Sequence, residues 1–402
     1  MTANKRVTGA DNEQRATEYL IDNGYSILER NFRNKTGEID IIAQNDNLIV
    51  FVEVKYRSSK KYGYAVEAVS YRKQQIIRQV AMYYLTTRYK SCDIPCRFDV
   101  IGIDGTDITH IRYINADKLY KGLDKAVINN STRISSKGDV TYIEFTPFDE
   151  FDWVKLHFST RLGGVSEGIY SSMNFSFDRG DAYDNVYKNY ELFLDTMDLK
   201  PEYCVCTKQT HTTNVLVVDS DMAGMGLTKP RSFDNVDGLV TDEPELCLVT
   251  YFADCVPVYF IDPVNRCIGA SHSGWRGTVA NITHETVKLM NRTYGSKPDD
   301  IHAFIGPSIC QDCYEVDEAV IRQFKAAYNT KECDMMFYHT RDDKYQLNLQ
   351  TANYFNMVNE GIKPENIGIS NLCTSCNSDW LFSHRASHGQ RGVLCGFMSI
   401  CR

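Results

Sequence analysis

The sequence predicts an α/β (α+β) protein of two domains: a smaller one over residues 1–117 and a larger mixed α/β one over 141–402, joined by a linker at 118–140. Three observations carry this reading. A chain of 402 residues exceeds what one core usually organises, so two domains are the default. Hydrophobic spacing alternates between the periods of strands and helices along the chain. Around INNSTRISSKGD both periods fail, and the composition becomes that of a polar, Ser- and Asn-rich linker.

The front part reads as helix, three strands, helix, strand. Glu13 to Asp22 places Ala16, Leu20 and Ile21 at helical spacing and stops at Asn23-Gly24. Tyr25 to Phe32 is extended. Glu38 to Ala43 and Leu48 to Lys55 flank Asn45-Asp46-Asn47, a hairpin signal with an alternating, β-branched second arm. Ala68 to Tyr89 is helical, with Ile76, Ile77, Val80, Ala81 and Tyr84 on one face, and Phe98 to Ile103 is a buried strand. After Thr141 short apolar strands alternate with Gly-rich turns, and helices are expected near 185–198, 278–293, 316–328 and 347–360.

Composition sets bounds on function. Hydrophobic residues at 43% and charged residues at 24% describe a soluble globular chain. No apolar run approaches a membrane span, and MTANKRVTGADNEQ lacks the apolar core of a secretory signal, so a cytoplasmic protein without membrane partners is expected. Fourteen cysteines in a reducing compartment point to burial, metal binding or catalysis more than to disulfides. Residues 1–117 carry 17 Lys and Arg against 15 Asp and Glu, and the rest 27 against 37. The front part can therefore meet a polyanion only through a local patch, while the acidic remainder suits a small substrate.

Asp40, Glu53 and Lys55 form D-x12-E-x-K across the expected hairpin. Glu53 and Lys55, two apart on a strand, share a face. Two carboxylates can hold Mg²⁺ there, and the lysine can orient water or stabilise charge at a phosphodiester, with Glu13 of the preceding helix as a third ligand. A solvated face of alternating charges is the plainer reading. RNFRNKTGEIDIIAQNDNLIVFVEVKYR, the helix with Lys73 and RFDVIGI resemble the YraN-type family, itself similar to Holliday-junction resolvases and other PD-(D/E)xK nucleases. That resemblance implies a restriction-endonuclease-like domain whose metal and catalytic set is Glu13, Asp40, Glu53 and Lys55, with DNA as partner. Asn12 stands where a glycine is usual before the helix glutamate.

Three segments of the larger part stand out: TKQTH ending at His211, YFADCVPVYF around Cys255 at a bend near Pro257, and ASHSGWRG around His272. Two imidazoles and a thiolate suit a three-ligand catalytic zinc with one position open. Gly274 and Gly277 permit a tight turn into a helix near Thr278, where an anion can bind beside Arg276. Taken singly, each histidine also reads as a hydrogen-bonded structural residue, and Cys255 as a small buried hydrophobe.

STRLGGVSEGIY, MNFS, KQTH, DGLVT, ADCVPVYFIDP, HSGWRGTVANI, IGPSICQDCYEV and LNLQTAN follow the order of the YfiH-type family, whose members have been called laccase-domain proteins, purine nucleoside phosphorylases and peptidoglycan editing factors. This resemblance implies zinc on His211, Cys255 and His272. It implies phosphorolysis of adenosine, inosine and S-methyl-5′-thioadenosine, plus adenosine deamination. Arg161 and Arg385 are candidates for the phosphate or ribose side, with Asn174 and Gln209 as hydrogen-bonding neighbours. FSHRASHGQRG departs from the family's SYRRDGxTGR at His384 and Ala386.

Three other readings stand beside this one. Cys255 as a thiolate with a histidine base makes an amidase editing a cell-wall precursor. Copper-dependent phenol oxidation needs clustered histidines, whereas the nine here are scattered. Cys310-x2-Cys313 and Cys373-x2-Cys376 can close a Zn(Cys)₄ site, although cysteines are common at the first pair in the resembled family without a second metal.

Overall fold

The computed structural model describes residues 2–35, 37–46, 48–57, 77, 80, 81, 83–85, 87–89, 96–112, 131–370 and 372–401, the side chains of 2–10 excepted. The chain divides into two compact units, 1–115 and 116–402, and each is a mixture of sheets and helices.

In the smaller unit a helix spans Thr2–Asp22, reaching further back than the apolar spacing signals. Gly24, at φ 84°, ends it in the left-handed conformation that glycine adopts without cost. Five strands follow, β1 (Ser26–Arg33), β2 (Glu38–Asn45), β3 (Leu48–Arg57), β4 (Cys96–Asp104) and β5 (Asp107–Arg112). They pair in that order, with β3 and β4 parallel and the other neighbours antiparallel. β5 was not expected from the sequence. It is a short edge strand folded back on β4 through Gly105-Thr106.

The alternation of β3 serves two faces. Val50 and Val52 pack with Ala16 and Leu20 of the first helix. Ile49 and Phe51 pack with Ile77, Val80, Ala81, Tyr84 and Leu85. Those positions are helical, as are Tyr83, Thr87, Arg88 and Tyr89, in keeping with the helix expected over 68–89; the other residues of that stretch, Lys73 included, lie outside the described residues.

The larger unit holds two six-stranded sheets. The first runs β6 (Arg133–Lys137), β7 (Val140–Glu144), β8 (Val154–Ser159), β20 (Leu394–Ile400), β12 (Cys247–Phe252), β9 (Cys204–Cys206). The second runs β10 (Val215–Val217), β11 (Gly238–Thr241), β14 (Cys267–Ser273), β13 (Val256–Asp262), β15 (His302–Ile305), β19 (Ile367–Ile369). β12 lies against β14. Helix Tyr183–Asp195 covers the outer face of the first sheet through Val186, Tyr190, Phe193 and Leu194. Helices Ile282–Tyr294 and Leu349–Asn359 cover the second. A small sheet of β16 (Glu315–Asp317), β18 (Lys344–Leu347) and β17 (Phe337–Arg341) lies to the side in sequence.

Three local expectations are corrected. Arg133–Lys137, read as linker for its polarity, forms edge strand β6 against β7. An edge strand with one wet face tolerates that composition, and Arg133 is paired with Glu144 across the ladder. The helix expected over 278–293 is split. Trp275–Val279 ends before Asn281, whose positive φ of 60° precedes the longer helix Ile282–Tyr294. Helices Glu318–Ala327 and Leu349–Asn359 fall where expected, but Thr330–Met336, opened by an Asn329–Glu332 capping box, was not anticipated.

Candidate functional site

The second sheet places the first candidate ligands. His272 lies near the end of β14, paired with Pro257 of β13, so its ring projects from a fixed ladder position. Cys255 occupies the junction between β12 and β13. The bend expected near Pro257 falls earlier, at Asp254, whose φ is +86°. Pro257 itself sits within β13, where its carbonyl accepts from Gly306 N. His211 comes from the loop after β9 and also carries a positive φ, 64°.

These three side chains, 44 and 17 residues apart in sequence, converge: their ligand atoms all lie within 4.8 Å of one another. His211 Nε2 is 4.0 Å from Cys255 Sγ, and the two imidazoles meet edge-on with centroids 4.9 Å apart. His272 is buried, Cys255 half-buried and His211 exposed, so the cluster has a wet side. Burial works against a Cys255 thiolate, yet His272 and His211 beside it prevail and bring the thiol down to about 6. Burial likewise disfavours the His272 cation, but Cys255 and Asp237 lift the imidazole to about 9.

Asp237, just before β11, organises the cluster. Its Oδ1 is 2.8 Å from His272 Nδ1 and accepts from His211 N at 3.0 Å, while its Oδ2 accepts from Thr210 N and Thr212 N. One buried carboxylate therefore folds the TKQTH loop and leaves His272 Nε2 facing inward, the usual backing of a metal-binding histidine. Gly274 completes the fit. A Cβ there would lie 2.7 Å from His211 Cδ2 and 3.3 Å from Cys255 Sγ. Its φ of −68° is ordinary, so the glycine supplies room and not the tight turn expected of it. The donor set, two nitrogens and one sulfur with an open side, fits a catalytic zinc.

The other sequence-selected residues divide. Arg161 donates to the carbonyls of Ser171 and Ser378 and lies over the Phe382 ring. Asn174 bonds Ser176, Asp181 and Val393 N. Gln209 bonds both the carbonyl and the N–H of Tyr251. All three tie loops together. Arg276 is exposed over Trp275, on a helix of five residues with little dipole to offer an anion. Arg385 lies 5.3 Å over the Tyr314 ring and donates to Glu315 O. Tyr314 lies within electrostatic reach of Cys255, Arg385, Asp254 and Arg276, and burial above all pushes its phenol up.

Sequence reasoning missed Asp237, Asp254 and Arg391. Asp254 accepts from Thr374 Oγ1 and Arg385 N, both at 2.7 Å. Arg391 is buried, and its Nε has no protein partner. Burial first, then Arg179, bring its guanidinium down to about 10, while Asp254 and Cys255 oppose them. The sequence signals were present: Asp237 opens DGLVT, Asp254 precedes Cys255, and Arg391 lies within GQRG.

Histidines outside the cluster have other neighbours: His110 with Asp99, His157 with Thr196, His284 with Glu360, His339 with Asp342 O and His384 with Arg391. Among the described residues only one other metal-competent group converges, the four cysteines Cys310, Cys313, Cys373 and Cys376.

In the smaller unit Glu13, Asp40, Glu53 and Lys55 line one cleft of about 310 Å³, together with Asn12 and Glu38. Lys55 Nζ is 2.7 Å from Glu53 Oε1, Asp40 Oδ2 accepts from Val54 N, and Glu13 Oε2 accepts from Asn31 Nδ2. Glu38, in GEID, was not selected from the sequence. These carboxylates share the cleft without converging as a three-ligand group.

Residues 155–401 match the family described as multi-copper polyphenol oxidoreductase laccase, and residues 12–103 the one described as uncharacterised protein family UPF0102. The chain is 35% identical over 244 residues, 60% of it and 87% of the relative, to "Purine nucleoside phosphorylase YlmD" of Bacillus subtilis. It is 32% identical over 230 residues, 57% of it and 87% of the relative, to "Adenosine deaminase RL5" of an unknown prokaryotic organism. The crystal structure of the Bacillus licheniformis hypothetical protein YfiH superposes with a TM-score of 0.63 at 33% identity, covering 67% of this chain and 99% of that one.

Proposed function

The chain belongs to the family described as multi-copper polyphenol oxidoreductase laccase, and from that premise we propose that its larger unit is a zinc-dependent purine nucleoside phosphorylase. Its substrates are adenosine, inosine and S-methyl-5′-thioadenosine with inorganic phosphate, and it also deaminates adenosine. The observation that carries this is the convergence of His211, Cys255 and His272, with ligand atoms within 4.8 Å, behind a wet side. Relatives bearing the names phosphorylase and deaminase support the reaction class. Copper chemistry is not proposed, because the described histidines do not gather beyond this pair.

Zinc, when bound, supplies Lewis acidity and brings the pKa of a bound water toward neutrality. The chain does the positioning. Asp237 holds His272 in one tautomer and fixes the loop of His211. Arg391, with Arg276 and Arg385, takes the phosphate or ribose side. Holding phosphate against C1′ makes the attack effectively unimolecular: the new bond forms from a phosphate oxygen to C1′, and the glycosidic bond breaks with its electron pair leaving on the purine. Arg161, Asn174 and Gln209 support the loops that frame this space.

The test is zinc analysis of the purified full chain together with product detection from adenosine and inosine. Ribose 1-phosphate and free base should form only when phosphate is present. Equal cleavage without phosphate would exclude a phosphorylase. A second reading is favoured by the 4.0 Å separation of Cys255 Sγ and His211 Nε2: a thiolate amidase acting on peptidoglycan precursors, which would keep its activity after complete chelation.

For the smaller unit we propose Mg²⁺-assisted chemistry on DNA at the cleft of Asp40, Glu53 and Lys55, with Glu13 beside them. Mg²⁺-dependent cleavage of branched DNA, abolished in Glu53→Ala and Lys55→Ala, is the expected result. A thiol-rich chain of this kind suits the reducing cytoplasm.

A further inference from the structure

We propose that Cys310, Cys313, Cys373 and Cys376 hold one structural Zn²⁺ ion, separate from the histidine–cysteine centre, that clamps the two loops bordering that centre. Topology brings the pairs together. β15 and β19 are parallel neighbours, with Ile305 opposite Ile369, so the chain leaves both strands at the same end. A further bridge joins Ser308 to Cys373. Each CxxC pair sits on the loop that follows one of these strands, and sequence separations of 63 and 66 residues are closed by the sheet.

The geometry is that of a tetrahedral thiolate site. A zinc–sulfur bond of about 2.3 Å sets neighbouring sulfurs of a tetrahedron about 3.8 Å apart. Here Cys313 Sγ and Cys376 Sγ are 3.5 Å apart, Cys310 Sγ and Cys376 Sγ 4.0 Å, and all four sulfurs lie within 4.8 Å of one another. A disulfide requires sulfurs about 2.05 Å apart, and all four cysteines are free. Two backbone N–H groups, of Cys310 and Cys376, point at Cys373 Sγ from 3.2 and 3.4 Å. Such donors stabilise a thiolate over a thiol. A set of four sulfurs with no oxygen or nitrogen ligand selects a soft ion.

The clamp reaches the centre through the backbone. Thr374, next to Cys373, donates its hydroxyl to Asp254, and Arg385 N donates to the other oxygen of that carboxylate. Ile309 N, next to Cys310, donates to Asp254 O. Asp254 adjoins Cys255, so both cysteine loops are tied to the residue that sets the Cys255 bend.

The experiment uses the full chain and metal analysis. Wild type should carry two zinc ions per chain. His211→Ala/Cys255→Ser should keep one, and Cys313→Ser/Cys376→Ser should keep the other. Loaded with Co²⁺, the His211→Ala/Cys255→Ser chain should show the intense thiolate charge-transfer and visible bands of a four-sulfur tetrahedral ion. That spectrum is read with the four cysteines intact, so misfolding of a cysteine variant does not spoil it. A folded His211→Ala/Cys255→Ser chain that carries no zinc, iron in its place, or a Co²⁺ spectrum of that chain lacking those bands would overturn the proposal, as would a Cys313–Cys376 disulfide in freshly prepared protein. Because the decisive spectrum comes from a chain without the histidine–cysteine centre, failure of the phosphorylase reading leaves it unaffected.

Discussion

The larger unit brings His211, Cys255 and His272 within 4.8 Å of one another, whereas the acids of the smaller unit line a cleft without forming a comparable group. The difference lies in charge and in support. Imidazoles repel neither one another nor a thiolate, and Asp237 fixes two of the three ligands through its hydrogen bonds. Four carboxylates, of Glu13, Glu38, Asp40 and Glu53, face one another across the cleft with Lys55. Like charges at short range disfavour a closer approach until a cation joins them. One site is drawn together around a shared carboxylate, while the acids of the other stay spread along their cleft, each on its own protein partner.

The largest effect expected from this contrast is at Cys255. Cys255→Ala should lower nucleoside phosphorolysis by at least ~10³-fold, while Glu53→Ala leaves it unchanged; steady-state kinetics on both chains decides. Activity surviving in Cys255→Ala would break the comparison, because the preassembled cluster would then be structural only. Next comes its support. Asp237→Asn keeps the size of the side chain but loses charge behind His272, and a change of that kind costs about 10–100-fold in activity or metal affinity. Zinc titration should show the weakened affinity directly, which a purely structural aspartate would not produce.

The sequence made the candidate ligands legible but not their support. His211, Cys255 and His272 stand out through the ordered motifs around them, and Glu53 and Lys55 through an alternating apolar strand. Asp237 does not, because its importance lies in hydrogen bonds to a loop 25 to 27 residues away that only the folded ladder creates. Gly274 reads as a turn residue, and only the packed cluster shows that it makes room for two ligands. The four cysteines were visible as two pairs, but their meeting depends on β15 and β19 being neighbours. Arg133–Lys137 reads as linker because an edge strand needs little apolar content, here Ile134 alone.

Acid should separate the units next. In the smaller one, burial opposes ionisation of Asp99, but Arg97 and His110 outweigh it and hold the carboxyl at about 2. A depressed carboxylate contributes stability that is complete above its unfolded value near 4 and is lost as pH falls through about 2. The contribution is about 2 kcal/mol. In the larger unit, burial above all keeps His157 neutral and lowers its imidazole. Its unfolded form takes up a proton first, so that unit loses stability as soon as pH falls below the ordinary imidazole value near 6.5. Hydrogen exchange resolved by segment should show the sheet of β8 weakening at milder acidity than the sheet of β4. Asp99→Asn should remove the lower transition. Simultaneous weakening of both sheets would show that these two groups do not govern it.

The smallest effect tests the cleft itself. If the acids come together only around a cation, Mg²⁺ binds the folded smaller unit and not its unfolded chain. At about 10 mM ion and a dissociation constant on the order of 1 mM, mass action adds about 1 kcal/mol. Hydrogen exchange of β2 and β3 should slow accordingly, Glu53→Gln should abolish the gain, and the β13–β14 ladder should not respond. Because Glu53→Gln by itself also loses the buried Lys55 ion pair and so weakens β3 without Mg²⁺, each chain is compared with itself, with and without the ion. Slower exchange in wild type without any Mg²⁺ response would mean that Lys55 alone balances the cleft, and the acids would then be a solvated face and not an ion site.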